Sequence, residues 1–376
     1  MLTSLGLAKF SRVIVILTLI GITCTTGSAA GSLQCGSGHP KASHAAAGAT
    51  EYDAPNGTVV VIIGASQGIG FNTAKYMALY GCAQLAFGGT PLIIVITCRS
   101  QPDCIDASSS IEHAVAETCG TNKRGVQIST LAPFDATNQS DILGLAHFLA
   151  SSYGGVDAVV YNAGASSELG VAYLVRLHCV GFSLVVGALR PILRRPGRFL
   201  AVTSILGTIS NLPDIPPSDY GKQLDAVYKM VTEQPDPDSV RQSLIRLLGG
   251  SLSNYPRPYA YSKTLQNMAV QSIAAETAAD LELEVNAVCP GWCPTAMNPP
   301  GEDTPRQCVE TIMWLALGRR DSSHGGRVHG GFFRHMRRIS FEDGTDLMEA
   351  GVPDDGMRSW WDKIASPLSW TNRKRP

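Results

Sequence analysis

From residue 58 onward, short apolar runs alternate with longer stretches in which apolar residues return every three or four positions. Six runs read as strands: 59–63, 92–97, 126–131, 157–161, 199–203 and 285–288. They are apolar throughout rather than alternating, which suits strands covered on both faces. After the first run, Phe71, Ala74, Met77 and Ala78 keep helical spacing. Strand and helix in alternation predict an α/β fold: a doubly wound parallel sheet of the Rossmann type, in one domain over 58–340. Residues 341–376 read as a C-terminal extension.

The N-terminus has a different pattern. Lys9 and Arg12 precede an apolar stretch over 13–22, and the small residues Ser28, Ala29 and Ala30 follow. A charged start, a short apolar run and a small-residue site form a signal peptide or signal anchor over 1–30. The expected destination is the secretory pathway, secreted or in the ER lumen. A retained membrane anchor and a plastid reached through a secretory-type leader are the alternatives, and membrane contact is expected only if the segment is retained. Residues 31–57, rich in Gly, Ala, Ser and His, read as a flexible linker. Asn56 and Asn138 begin glycosylation motifs that matter only in the lumen.

Composition narrows the function. Apolar residues make up 44% and charged residues 16%, as in a globular protein, and 30 Lys+Arg against 31 Asp+Glu leave a net charge of −1. No basic field is available, so nucleic acid is not an expected partner. The ten cysteines lack metal-site spacing and lie in core-like segments, which predicts no metal site and no small disulfide framework.

The chemistry begins where the first run ends, at Gly64-Ala65-Ser66-Gln67-Gly68-Ile69-Gly70. A buried strand, a turn without side chains and a helix N-terminus can bring backbone N–H groups against a phosphate. Four more motifs follow in order: Asn162-Ala163-Gly164, Ser204 after the fifth run, Tyr259-Ala260-Tyr261-Ser262-Lys263, and Pro290-Gly291-Trp292-Cys293-Pro294-Thr295. Over roughly 58–335 this set resembles the short-chain dehydrogenase/reductase family.

The residue types suit the chemistry that the resemblance implies. Tyr259 and Lys263, four apart, share one face of a helix. Tyrosine ionises near pH ~10, and a neighbouring ammonium favours tyrosinate; a fall of about 3 pH units corresponds to ~4 kcal/mol. Tyr259 would then exchange a proton with a carbonyl or alcohol oxygen that Ser204 positions. The resemblance implies that Lys263 also holds the nicotinamide ribose, that Asp135 contacts adenine and that Thr295 lies near the carboxamide. Gly64, Ser66, Gln67, Gly68, Ile69, Gly70, Asn162, Ala163, Gly164, Pro290 and Gly291 complete the expected cofactor site. The second run ends at Arg99 with no acid before Asp103, which points to NADP(H).

Tyr259 stands about 55 positions beyond Ser204, where the family commonly leaves a dozen or so. This insert, with an amphipathic helix expected over 239–248, resembles that of the monomeric carbonyl reductases and implies a monomer. Two departures stand out. His178 occupies the position of the family's helix asparagine and joins the expected catalytic set, and the segment from Gly164 to His178 is short. The reading is an NADPH-dependent carbonyl reductase acting on a small lipophilic aldehyde or ketone, with alcohol oxidation as the reverse. A non-catalytic NADP-binding module and a retinol- or steroid-type dehydrogenase remain as alternatives.

Overall fold

The computed structural model describes residues 57–85, 90–119, 125–208, 220–233, 258–318 and 327–347, and two short strands nearer the N-terminus. The chain divides into two units, Met1–Asp53 and Ala54–Pro376. In the first, β1 (Thr23–Thr26) pairs antiparallel with β2 (Leu33–Gly36), within the stretch expected as leader and linker. The helix expected over 239–248 lies outside the described residues, as does most of the C-terminal extension.

The second unit is built on eight strands in the order β10-β9-β8-β7-β6-β3-β4-β5. The central strand β3 (Thr58–Ile63) lies parallel between β4 (Leu92–Thr97) and β6 (Val156–Tyr161). Outward on one side lies β5 (Val126–Leu131), and on the other β7 (Leu193–Val202), β8 (Leu283–Cys289) and β9 (Phe332–Arg334), all parallel. Only β10 (Arg337–Ile339), which turns back from β9, runs antiparallel. The chain goes from β3 to β4 and β5, then returns across β3 to β6. That reversal leaves a crevice at the carboxyl ends of β3 and β6, where open α/β sheets bind ligands.

The apolar runs form strands because both faces are buried. Val59, Val61 and Ile63 face a layer holding α3 (Gln139–Tyr153), α4 (Gly170–Val175), α5 (Gly181–Leu189) and α7 (Pro258–Glu276). Val60 and Ile62 face α1 (Gly68–Leu85), α2 (Gln101–Cys119) and α8 (Pro305–Leu317). All five side chains are fully buried, each worth about 1.5–3 kcal/mol. Continuous helical structure over 167–192 is long and apolar enough to cross a membrane, yet most of it is buried within this domain.

The strand over 126–131 and that over 92–97 begin and end where the pattern placed them. β7 begins six residues before its expected start because Val156 and Gly197 offer backbone pairing to Leu193 and Leu283 across a bulge, before the apolar run begins. In the insert, the described helix is α6 (Tyr220–Glu233), which packs on α7 and buries Val227. The chain past residue 340 still belongs to the domain: Phe341 stacks on Phe332, with ring centroids 5.1 Å apart.

Candidate active site

The glycine turn lies at the crevice. Gly64 and Gly68 have φ of +82° and +62°, conformations that side chains strain. A Cβ at Gly64 would also stand 2.8 Å from the Cα of Ala163. The Asn162 amide donates to the Gly64 carbonyl at 2.7 Å, so the second motif buttresses the first. Gly64, Ser66, Gln67, Gly68 and Ile69 line one cleft with Asn162, Ala163 and Gly164. Gly70 does not line it; a side chain there would meet the Gly64 carbonyl and the Asn162 amide, so its smallness serves helix–strand packing.

Arg99 and Asp135 line the same cleft, as do Pro290 and Thr295, while Gly291 stands outside it. Arg99 is exposed at the end of β4. The Asp135 carboxylate accepts from the Thr137 N–H and hydroxyl, both at 2.8 Å, and so also shapes the turn into α3.

At the other end of the cleft, Tyr259 and Lys263 project from α7. Ser204 lies two residues past β7 and caps a short turn, its Oγ accepting from the Leu206 N–H at 3.2 Å. The Ser204 hydroxyl is also close enough to the Tyr259 phenol to favour its ionised form. Lys263 is buried; its Nζ donates to the Val202 carbonyl and to Gln266 Oε1, both at 2.9 Å, and lies 5.6 Å from the Tyr259 ring centroid.

The electrostatics differ from expectation. Burial raises the Tyr259 pKa well above its ordinary value, Cys289 adds to this, and the Ser204 hydroxyl only partly opposes it. Burial draws Lys263 down to about 7, against a smaller opposing effect of Cys289. The expected net lowering of Tyr259 is therefore absent: desolvation dominates, and burial also draws Lys263 toward its neutral form.

No protein-family model matches the chain. Carbonyl reductase (NADPH) 1 from Sus scrofa is 26% identical over 318 residues, covering 80% of this chain and 96% of that protein. Its Homo sapiens counterpart is 22% identical over 291 residues, covering 74% and 96%. In fold, the chain is similar to salutaridine reductase from Papaver somniferum, with a TM-score of 0.53 at 22% identity over 73% of this chain and 99% of that one. In sequence and fold, this chain is similar to short-chain dehydrogenases/reductases.

The chain departs from the expected pattern at His178. The residue lies in a π-helical turn, Arg176–Val180, between α4 and α5. It is fully buried behind the cleft, with its ring edge-on to Tyr259 at 5.6 Å. His178 Nδ1 is 2.8 Å from Ser262 Oγ, which itself donates to the Tyr259 carbonyl at 2.7 Å. With the serine proton committed there, Nδ1 carries the histidine proton and Nε2 is a bare acceptor. Nε2 has no hydrogen-bond partner among the described residues and faces Gly164, where a Cβ would stand 3.3 Å away. Burial, and secondarily Lys263, hold the imidazole pKa well below its ordinary value, so the ring is neutral.

Six cysteines pair among the described residues. Cys82 pairs with Cys119, Cys98 with Cys104, and Cys293 with Cys308, at Cα separations of 6.4, 5.5 and 5.9 Å. Cys179 and Cys289 are free and buried. The scatter along the chain concealed these pairs because the sheet joins distant segments. Two pairs flank the cleft: Cys98 and Cys104 bracket Arg99, and Cys293–Cys308 ties the loop carrying Thr295 to α8. Gln266 was also missed by motif reading, although its position three after Lys263 puts it on the same helix face.

Proposed function

We propose that the protein is an NADPH-dependent reductase that delivers a hydride to the carbonyl carbon of a small lipophilic aldehyde or ketone. The observation that carries this reading is that Tyr259 and Lys263 line one end of a cleft whose far end is the glycine turn, with Ser204 next to the Tyr259 phenol. The residues suit a dinucleotide. Gly64 and Gly68 keep the turn free of side chains, and exposed Arg99 has no ion pair among the described residues. An unpaired guanidinium with no acid beside it favours a 2′-phosphate, hence NADP(H). The relatives named carbonyl reductase (NADPH) support the same cofactor.

The bound cofactor supplies the hydride. Tyr259, kept neutral by burial, donates its proton to the carbonyl oxygen, and Ser204 donates a hydrogen bond to that oxygen. Lys263 offsets the negative charge left on the phenol. A raised Tyr259 pKa favours the acid over the base, and so reduction over alcohol oxidation near neutral pH. Tyr173, Leu177 and Met297 line the cleft and support a lipophilic substrate. The three disulfides among the described residues support an oxidising compartment and hence the secretory route. The insert helix α6, packed on α7, supports a monomer.

His178 favours a second reading, an NADP-binding module without turnover, because a neutral imidazole replaces the family's asparagine behind Tyr259. One experiment separates the two. The purified chain is given NADPH or NADH with a panel of aldehydes and ketones, beside Tyr259→Phe. The reductase reading requires NADPH-dependent turnover that falls about 10²–10⁴-fold in the variant while NADPH binding persists. Binding without turnover favours the module, and absence of dinucleotide binding sinks both.

A further inference from the structure

We infer that Gln266 is a positioning residue for Lys263, holding its ammonium in the orientation that hydride transfer requires; this rests on the reductase reading above. Tyr259, Lys263 and Gln266 stand at i, i+4 and i+7 of α7, on one face. Gln266 is fully buried and Lys263 nearly so. An ammonium has three N–H donors. Here the Val202 carbonyl and Gln266 Oε1 take two of them, each at 2.9 Å, leaving the third uncommitted among the described residues on a side chain that lines the cleft.

The alternative is that Gln266 merely fills space, and its own chemistry argues against that. Its Nε2 has no partner among the described residues although it is buried. Leaving a buried amide N–H unmatched is costly, and a leucine would fill the volume without that cost. What only the glutamine supplies is an acceptor for Lys263. Among the ionisable groups facing Lys263 are Tyr259 on its own helix, His178 on the π-helical turn and Cys289 at the end of β8. None is a carboxylate, so neutral oxygens hold the ammonium, and removing one changes both its place and its readiness to ionise.

The test compares the full chain with Gln266→Leu and Gln266→Glu, measuring kcat and KM for a reducible carbonyl, and Kd for NADPH, from pH 5 to 10. Reduction needs charged Lys263 and protonated Tyr259, so activity fails as pH rises through the lysine's titration. Loss of the acceptor in Gln266→Leu should lower kcat about tenfold or more, with carbonyl KM within about twofold. It should also move the alkaline limb to lower pH. Gln266→Glu puts an anion beside the ammonium and should move that limb upward by about one pH unit. Opposite movements in the two variants support the inference. Limbs that stay at the wild-type position, or that move together, overturn it. If the wild-type chain binds NADPH but reduces no carbonyl, the reductase reading falls, and the pH dependence of NADPH Kd then decides on Gln266 by the same criterion. Circular dichroism and Tm identify a misfolded variant; if both variants misfold, Gln266 is structural and the inference is overturned.

Discussion

Lys263 and His178 are bases that the interior discourages from accepting a proton, and their cost to stability has a definite sign. Lys263 titrates near 10.5 when exposed and at about 7 in the folded protein. Between those values the unfolded chain binds a proton that the folded chain does not, so stability falls as pH drops from 10.5 to 7 and is level below. Lys263→Met should therefore raise Tm at pH 7, by the equivalent of a few kcal/mol, with the gain vanishing near pH 10. His178 is also lowered, so its contribution declines as pH falls below about 6.5. His178→Asn should flatten the Tm profile between pH 7 and 5. Equal Tm–pH profiles in wild type and both variants would remove this account. Tyr259, Lys263 and Ser204 were legible because their chemistry imposes residue type and spacing. The direction of the Tyr259 shift was not, because it depends on how much water the fold leaves around a side chain.

At the scale of elements, the strand–turn–helix from β3 into α1 tolerates little. Gly64 combines φ of +82° with a Cβ position 2.8 Å from the Cα of Ala163. Gly64→Ala should cost about 1–3 kcal/mol in stability and, by displacing Asn162, weaken NADPH binding at least tenfold. Urea unfolding and fluorescence titration measure the two; an unchanged Kd would show that the turn does not carry the cofactor. The strands were legible because burial on both faces leaves continuous apolar runs. The π-helical turn around His178 was not, since its apolar spacing blends into α4 and α5; helix α6 was missed although Leu224, Val227 and Met230 keep helical spacing and pack on the core.

At the scale of the molecule, disulfides join segments whose nearness only the sheet creates. Among the described pairs, Cys82–Cys119 closes the longest loop, 37 residues, against 15 for Cys293–Cys308 and 6 for Cys98–Cys104. Loop-closure entropy assigns about 4 kcal/mol to the first and about 2 kcal/mol to the last. Cys82→Ser should accordingly lower Tm more than Cys98→Ser, and adding a reductant should erase the difference between wild type and each variant's remaining pairs. If reductant leaves wild-type Tm unchanged, the pairing is wrong.

The bond from the Asn162 amide to the Gly64 carbonyl spans 98 positions of sequence. A ribosome making this chain would release the glycine turn long before its buttress. The lysine and tyrosine on α7 emerge later still, and the loop carrying Thr295 last of all. Nascent chains halted before residue 162 should hold the phosphate-binding signature in sequence yet have no affinity for the dinucleotide. Cofactor capture in this protein is then a late event in synthesis, and a natural checkpoint on whether the two halves of the sheet have met.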